Sequence, residues 1–101
     1  MDDFTAWLRR LIEADLNEQR EREAHFLAAR EREGDYHYFE ARERVAHLEA
    51  HLAILDLYEK QAAKEFDNAM EEDRTWTLAP VIRLIGYGYR HRPGYREEWK
   101  P

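Results

Sequence analysis

The sequence predicts an all-α protein built on one long antiparallel helical hairpin, and three observations carry that expectation. Apolar residues recur at spacings of three and four along two long stretches. The pair Gly34-Asp35 separates those stretches. Gly and Pro number only 4 and 3 in 101 residues, too few for an irregular or low-complexity chain.

The first helix is expected over about 3–32. Phe4, Leu8, Leu11 or Ile12, and Leu16 form its apolar stripe. Asp2 or Asp3 can cap its start, where a carboxylate accepts from free backbone N–H groups and suits the helix dipole. The stripe stops at the polar run Asn17–Glu23 and resumes at Phe26 and Leu27. Glu18 and Arg22 are four apart, so this run can stay helical while solvated. Gly34 then suits the left-handed position that ends a helix, and Asp35 suits the N-cap of the next. So short a turn folds the two helices back as a hairpin.

The second helix is expected over about 36–70. Tyr38, Ala41, Val45, Leu48, Leu52 and Leu55 alternate spacings of three and four, and Ala62, Phe66 and Ala69 continue the series past Glu59. This is a coiled-coil-like seam. Glu71-Glu72-Asp73 would oppose the dipole at a C-terminus, so fraying is expected there. A short third helix is expected over about 78–89, with Thr77 as N-cap and Pro80 in the first turn, where a missing N–H costs little. Leu78, Val81, Ile82 and Ile85 supply its apolar face. Pro93-Gly94 begins an irregular tail, and residues 1–101 read as a single domain.

Composition then narrows the function. A domain this small buries only roughly 60–65% of its unfolded surface, so its stability margin is thin. Cys is absent, which excludes disulfides and thiolate metal sites. Ser is absent as well, so the two commonest nucleophiles are missing. Gly86-Tyr87-Gly88 follows a helix rather than preceding one, the wrong order for cradling phosphate. A non-enzymatic protein without a cofactor is expected. No apolar run approaches the roughly 18 residues of a membrane span. The acidic start Met1-Asp2-Asp3 is unlike a signal peptide, so a cytoplasmic protein with no membrane partner is expected.

Hairpin geometry bears on partners. Folding about Gly34-Asp35 sets residue 20 opposite roughly residue 49, so the polar run Asn17–Glu23 would face Leu48 and Leu52. An exposed leucine forfeits roughly 1.5–3 kcal/mol. A second copy of the chain is therefore expected to cover Val45, Leu48, Leu52 and Leu55, with the third helix as the alternative cover. A homodimer with a further, unidentified protein partner is the expected state.

Charge is uneven along the chain. Residues 1–73 hold 10 Lys/Arg and 20 Asp/Glu, whereas residues 74–101 hold 6 and 2. In the basic end Arg83, Arg90, His91, Arg92, Arg96 and Lys100 interleave with Tyr87, Tyr89, Tyr95 and Trp99. Such a set can bind phosphates and stack on bases. It can equally fold back, its rings covering apolar surface and its cations meeting carboxylates. The net charge of −6 and the lack of a recognised nucleic-acid fold favour docking. Arg90, Arg92, Tyr95, Arg96 and Trp99 carry either reading.

His47 and His51 stand at i, i+4, a spacing that lets two imidazoles share a metal. Their intervening Leu48-Glu49-Ala50 is not the metalloprotease order, and a third ligand such as His25 or Glu43 would have to come from elsewhere. The alternative is that both rings flank the apolar seam, and no metal is expected.

The ending Pro93-Gly94-Tyr95-Arg96-Glu97-Glu98-Trp99-Lys100-Pro101 resembles the C-terminal signature of a small actinobacterial and actinophage family of unknown function. Asp2-Asp3-Phe4 through Leu11 resembles that family's N-terminal helix, and Ala53-Ile54-Leu55-Asp56-Leu57 its central stretch. The resemblance implies an origin but no activity. Many members carry a His after the central stretch and several Cys before the last helix, a set that looks like a zinc site. Here Tyr58 takes the His position, residues 59–77 hold no Cys, and Arg92 stands where a His often precedes the Pro. That site is not carried over.

Overall fold

A computed structural model describes residues 2–33, 36–63 and 69–101, and within them the side chains of 3–29, 37–63 and 78–101. The fold is all-α: α1 (Asp2–Glu33), α2 (Tyr36–Ala63) and α3 (Ala69–Tyr87), then a 3₁₀ turn at Glu97–Trp99. The long helices α1 and α2 pack together. Among the described residues no helix is long and apolar enough to cross a membrane. Gly34-Asp35, read as the turn, and Phe66 lie outside the described residues.

Contacts divide the chain into two compact units, Arg10–Leu52, and Met1–Arg9 with Ala53–Pro101. Within Arg10–Leu52, Phe26 stacks on His37 at 5.3 Å and Arg20 reaches Glu49 at 3.8 Å, so the two helices run antiparallel. Their buried seam is Ile12, Leu16 and Ala29 against Tyr38, Ala41 and Val45. Along the polar run α1 stays helical, with Arg22 3.5 Å from Glu18.

The other unit joins the first two turns of α1 to the end of α2, α3 and the tail. Phe4, Trp7, Leu8, Leu55, Tyr58 and Ile82 are its buried centre. Arg9 ties the two helices at the surface, 2.6 Å from Asp56 and 3.1 Å from Glu59.

α2 is described to Ala63, and the expected continuation over 64–68 lies outside the described residues. Two boundaries differ from the sequence reading. α3 begins at Ala69 rather than 78 and ends at Tyr87 rather than 89. Thr77 is thus no N-cap, and Pro80 lies inside the helix. Glu71-Glu72-Asp73 occupy the opening turns of a helix instead of a frayed end, and acidic residues suit that end of the dipole. An interior Pro costs about 3 kcal/mol locally. Ile82, two residues on, is completely buried, a gain that works against that cost. The tail also has order: turns over 88–94 and the 3₁₀ turn replace the irregular segment expected.

Candidate functional site

Among the described residues, an aromatic clasp joins the tail to the first two turns of α1. Phe4 and Trp7, three residues apart, face the same side of the helix. Trp99 lies 5.2 Å from Phe4 and 5.3 Å from Trp7, and Tyr95 lies 5.6 Å from Trp7 and 5.8 Å from Trp99. These four pairs are tilted or edge-on, and Phe4 and Trp7 themselves stack at 6.3 Å. Trp7 Nε1 donates to the Pro93 carbonyl at 2.8 Å, which fixes where the tail turns.

Two glycines make room for the clasp. A Cβ on Gly86 would fall on Cζ and Cε2 of the buried Phe4 ring. Gly94 has φ of +94°, and a Cβ there would meet Trp7 Nε1 at 2.9 Å. Both positions need Gly for contact, and Gly94 also for its left-handed backbone.

Charges trim the rim. Arg96 reaches Asp3 at 3.4 Å and Glu98 at 3.5 Å while lying 5.1 Å from the Trp99 ring centre. Lys100 lies 3.2 Å from Glu97. These pairs are exposed and contribute little beside the rings. The Tyr95 hydroxyl is buried without a hydrogen-bond partner among the described residues.

The basic set therefore divides. Tyr95, Arg96 and Trp99 belong to the clasp. Arg90 instead donates to the Tyr87 carbonyl at 3.0 Å and lies 4.2 Å over its ring, and Arg92 lies 5.9 Å from the Tyr89 ring. Trp7 was absent from the sequence-derived apolar stripe. Its i+3 relation to Phe4 was the available signal, masked by Leu8 serving the same spacing one residue later.

A cleft of about 420 Å³ lies in the same unit, lined by Thr5, Ala6 and Arg9 of α1 and Tyr58, Glu59, Ala62 and Ala63 of α2. Its charged group, Arg9, is held more firmly protonated by its hydrogen bond to Asp56 and by Glu59, against the cost of burial. A guanidinium so answered is a strut rather than a proton donor.

His47 lies 4.0 Å from Glu43 and its side chain is 69% exposed. His51 is half-buried, and its buried Nδ1 finds no partner among the described residues. Burial, and then the charge of His47, push the His51 imidazole below its ordinary value. No three His, Asp or Glu side chains converge as a metal site among the described residues. Of the expected interface, Leu55 is completely buried and Val45 nearly so within their own chain. A second chain has no access to them. Leu48 and Leu52 are half-buried and keep an accessible edge.

Compared with protein-family models, residues 1–101 match DUF6221, a family of unknown function. The chain belongs to this family. No curated protein and no solved structure matches it. The DUF6221 match spans both halves of the clasp, from Phe4 and Trp7 to Tyr95 and Trp99.

Proposed function

We propose that this DUF6221 chain is a non-enzymatic interaction protein that self-associates, a cytoplasmic accessory factor of actinobacterial or phage origin. The observation that carries the reading is apolar surface left over after the fold is complete. Leu84 is 60% exposed, Phe39 50%, Leu27 49% and Leu57 47%. These side chains lie on all three long helices, and a second copy that covered some of them would remove that apolar surface from water. Leu48 and Leu52 add half-buried edges on α2. Light scattering at micromolar concentration should return twice the 12.3 kDa chain mass. A monomer at every concentration refutes the reading.

A second reading has one observation in its favour. No Asp or Glu occurs between Arg74 and Arg96, and Tyr87 and Tyr89 sit among the arginines there. Cations interleaved with rings suit a nucleic-acid strand. That reading requires titration with a single-stranded oligonucleotide to show binding that weakens steeply with salt.

A further inference from the structure

The clasp takes up Tyr95, Arg96 and Trp99 but leaves the cations at the end of α3 outside it. One face of the last turns of α3 serves the fold: Ile82 is completely buried and Gly86 lies against Phe4. A different face carries Arg83 and Tyr87, four apart and so one above the other. Arg83 is exposed, with no hydrogen bond, ion pair or ring contact among the described residues. Tyr87 is half-buried, and the exposed Arg90 lies 4.2 Å over its ring while donating to the Tyr87 carbonyl at 3.0 Å. Ring and carbonyl together hold the Arg90 guanidinium in place, leaving its outer side to solvent. Leu84, three residues before Tyr87, is 60% exposed beside them.

Between Arg83 and Arg90 the sequence holds no Asp or Glu, so this face calls for an anion. Two cations flanking a ring and an exposed leucine suit a chain that alternates charge with flat apolar groups. Single-stranded nucleic acid is such a chain: its phosphates meet guanidinium groups, and its unpaired bases stack on guanidinium and ring planes. A duplex keeps its bases stacked on one another and would leave that platform empty. Carboxylates of a second copy are a poorer match, because Glu18, Glu40, Glu49, Asp56 and Glu59 already face arginines of their own chain.

We propose that Arg83, Leu84, Tyr87 and Arg90 form a face for single-stranded nucleic acid, with phosphates on the two arginines and a base stacked on the Arg90–Tyr87 pair. The proposal rests on the second reading above and names its surface. Fluorescence anisotropy of a labelled single-stranded oligonucleotide, titrated with the full chain at several salt concentrations, tests it. Circular dichroism of every variant shows whether the helices are retained. Wild type should bind, and a duplex or polyphosphate of matched charge should compete poorly. Arg83→Gln should flatten the log–log salt slope by about 0.7, the loss of one phosphate contact to a single strand. Arg90→Gln should weaken binding about tenfold, because it removes a phosphate contact and the stacked base together. Tyr87→Leu should weaken binding several-fold with the slope kept. Arg42→Gln, the same charge change at an exposed position of α2, should alter neither. No binding by wild type overturns this proposal and the reading beneath it together. Binding indifferent to Arg83→Gln and Arg90→Gln leaves that reading standing and overturns the face. An equal loss in Arg42→Gln shows unlocalised attraction and overturns it as well. Polyphosphate or duplex competing as well as the single strand removes the base from the site, which sinks the proposal. Self-association lost in Arg83→Gln with oligonucleotide binding unchanged reassigns the face to a second copy and also overturns it.

Discussion

Truncating Trp99 to Ala is the most direct probe of the clasp. The indole is half-buried against Phe4, Trp7 and Tyr95, with ring centres 5.2, 5.3 and 5.8 Å away. Removing it returns roughly 100–150 Å² of apolar contact to water, worth about 2.5–4 kcal/mol at 25 cal/mol per Å². Extended-chain area is an upper bound, so about 2–3 kcal/mol is the expected loss. At roughly 4–8 °C per kcal/mol in a domain of this size, the melting temperature should fall by at least about 8 °C. Lys100→Ala is the control, since it removes only an exposed pair with Glu97 worth about 0–1 kcal/mol. Thermal melts of both variants at one fixed protein concentration separate these effects from any change in association. If Trp99→Ala melts with wild type, the rings contribute nothing to stability. Should it also lose a salt-sensitive interaction with single strands, the tail is a binding element rather than a clasp.

Gly86→Ala should destabilise even though Ala is the better helix former by about 1 kcal/mol. The new methyl must displace the buried Phe4 ring at a cost of about 1–3 kcal/mol, and a urea titration showing a gain would contradict the clasp. His51 makes the stability pH-dependent: its folded value lies below its unfolded one, so the unfolded chain takes up the proton first as pH falls. Wild type should therefore lose stability relative to His51→Gln as pH drops through and below the ordinary imidazole range of about 6.5, and parallel melts would contradict this. Zinc at modest excess should leave the melt unchanged, because His47 and His51 meet no third ligand among the described residues. A bound metal at a hundredfold excess over its dissociation constant would add about 2.7 kcal/mol, and a rise abolished by His51→Ala would establish a site.

Features that depend on neighbours three and four residues away were legible in the sequence. The stripe from Phe4 to Leu16 and the seam from Tyr38 to Leu55 delimit α1 and α2 almost to the residue at their starts, because helical periodicity is a local property. The same local rules misplaced α3. They set Pro80 at a helix start and Glu71–Asp73 at a helix end, since propensity cannot count what burial of Ile82 contributes from across the unit.

Which surfaces meet was decided only by tertiary structure. Tyr95 and Trp99 stood out in the sequence as rings needing a partner, but nothing near them named Phe4 and Trp7, some ninety positions earlier. Gly86 read as part of a Gly-Tyr-Gly run after a helix and Gly94 as the start of the tail, whereas contact with Phe4 and Trp7 is what requires them. Val45 and Leu55 read as a seam for a second chain and are buried within their own. Periodicity reports which face of a helix is apolar; it carries no information about what covers that face, and that choice is made by the whole chain closing at once.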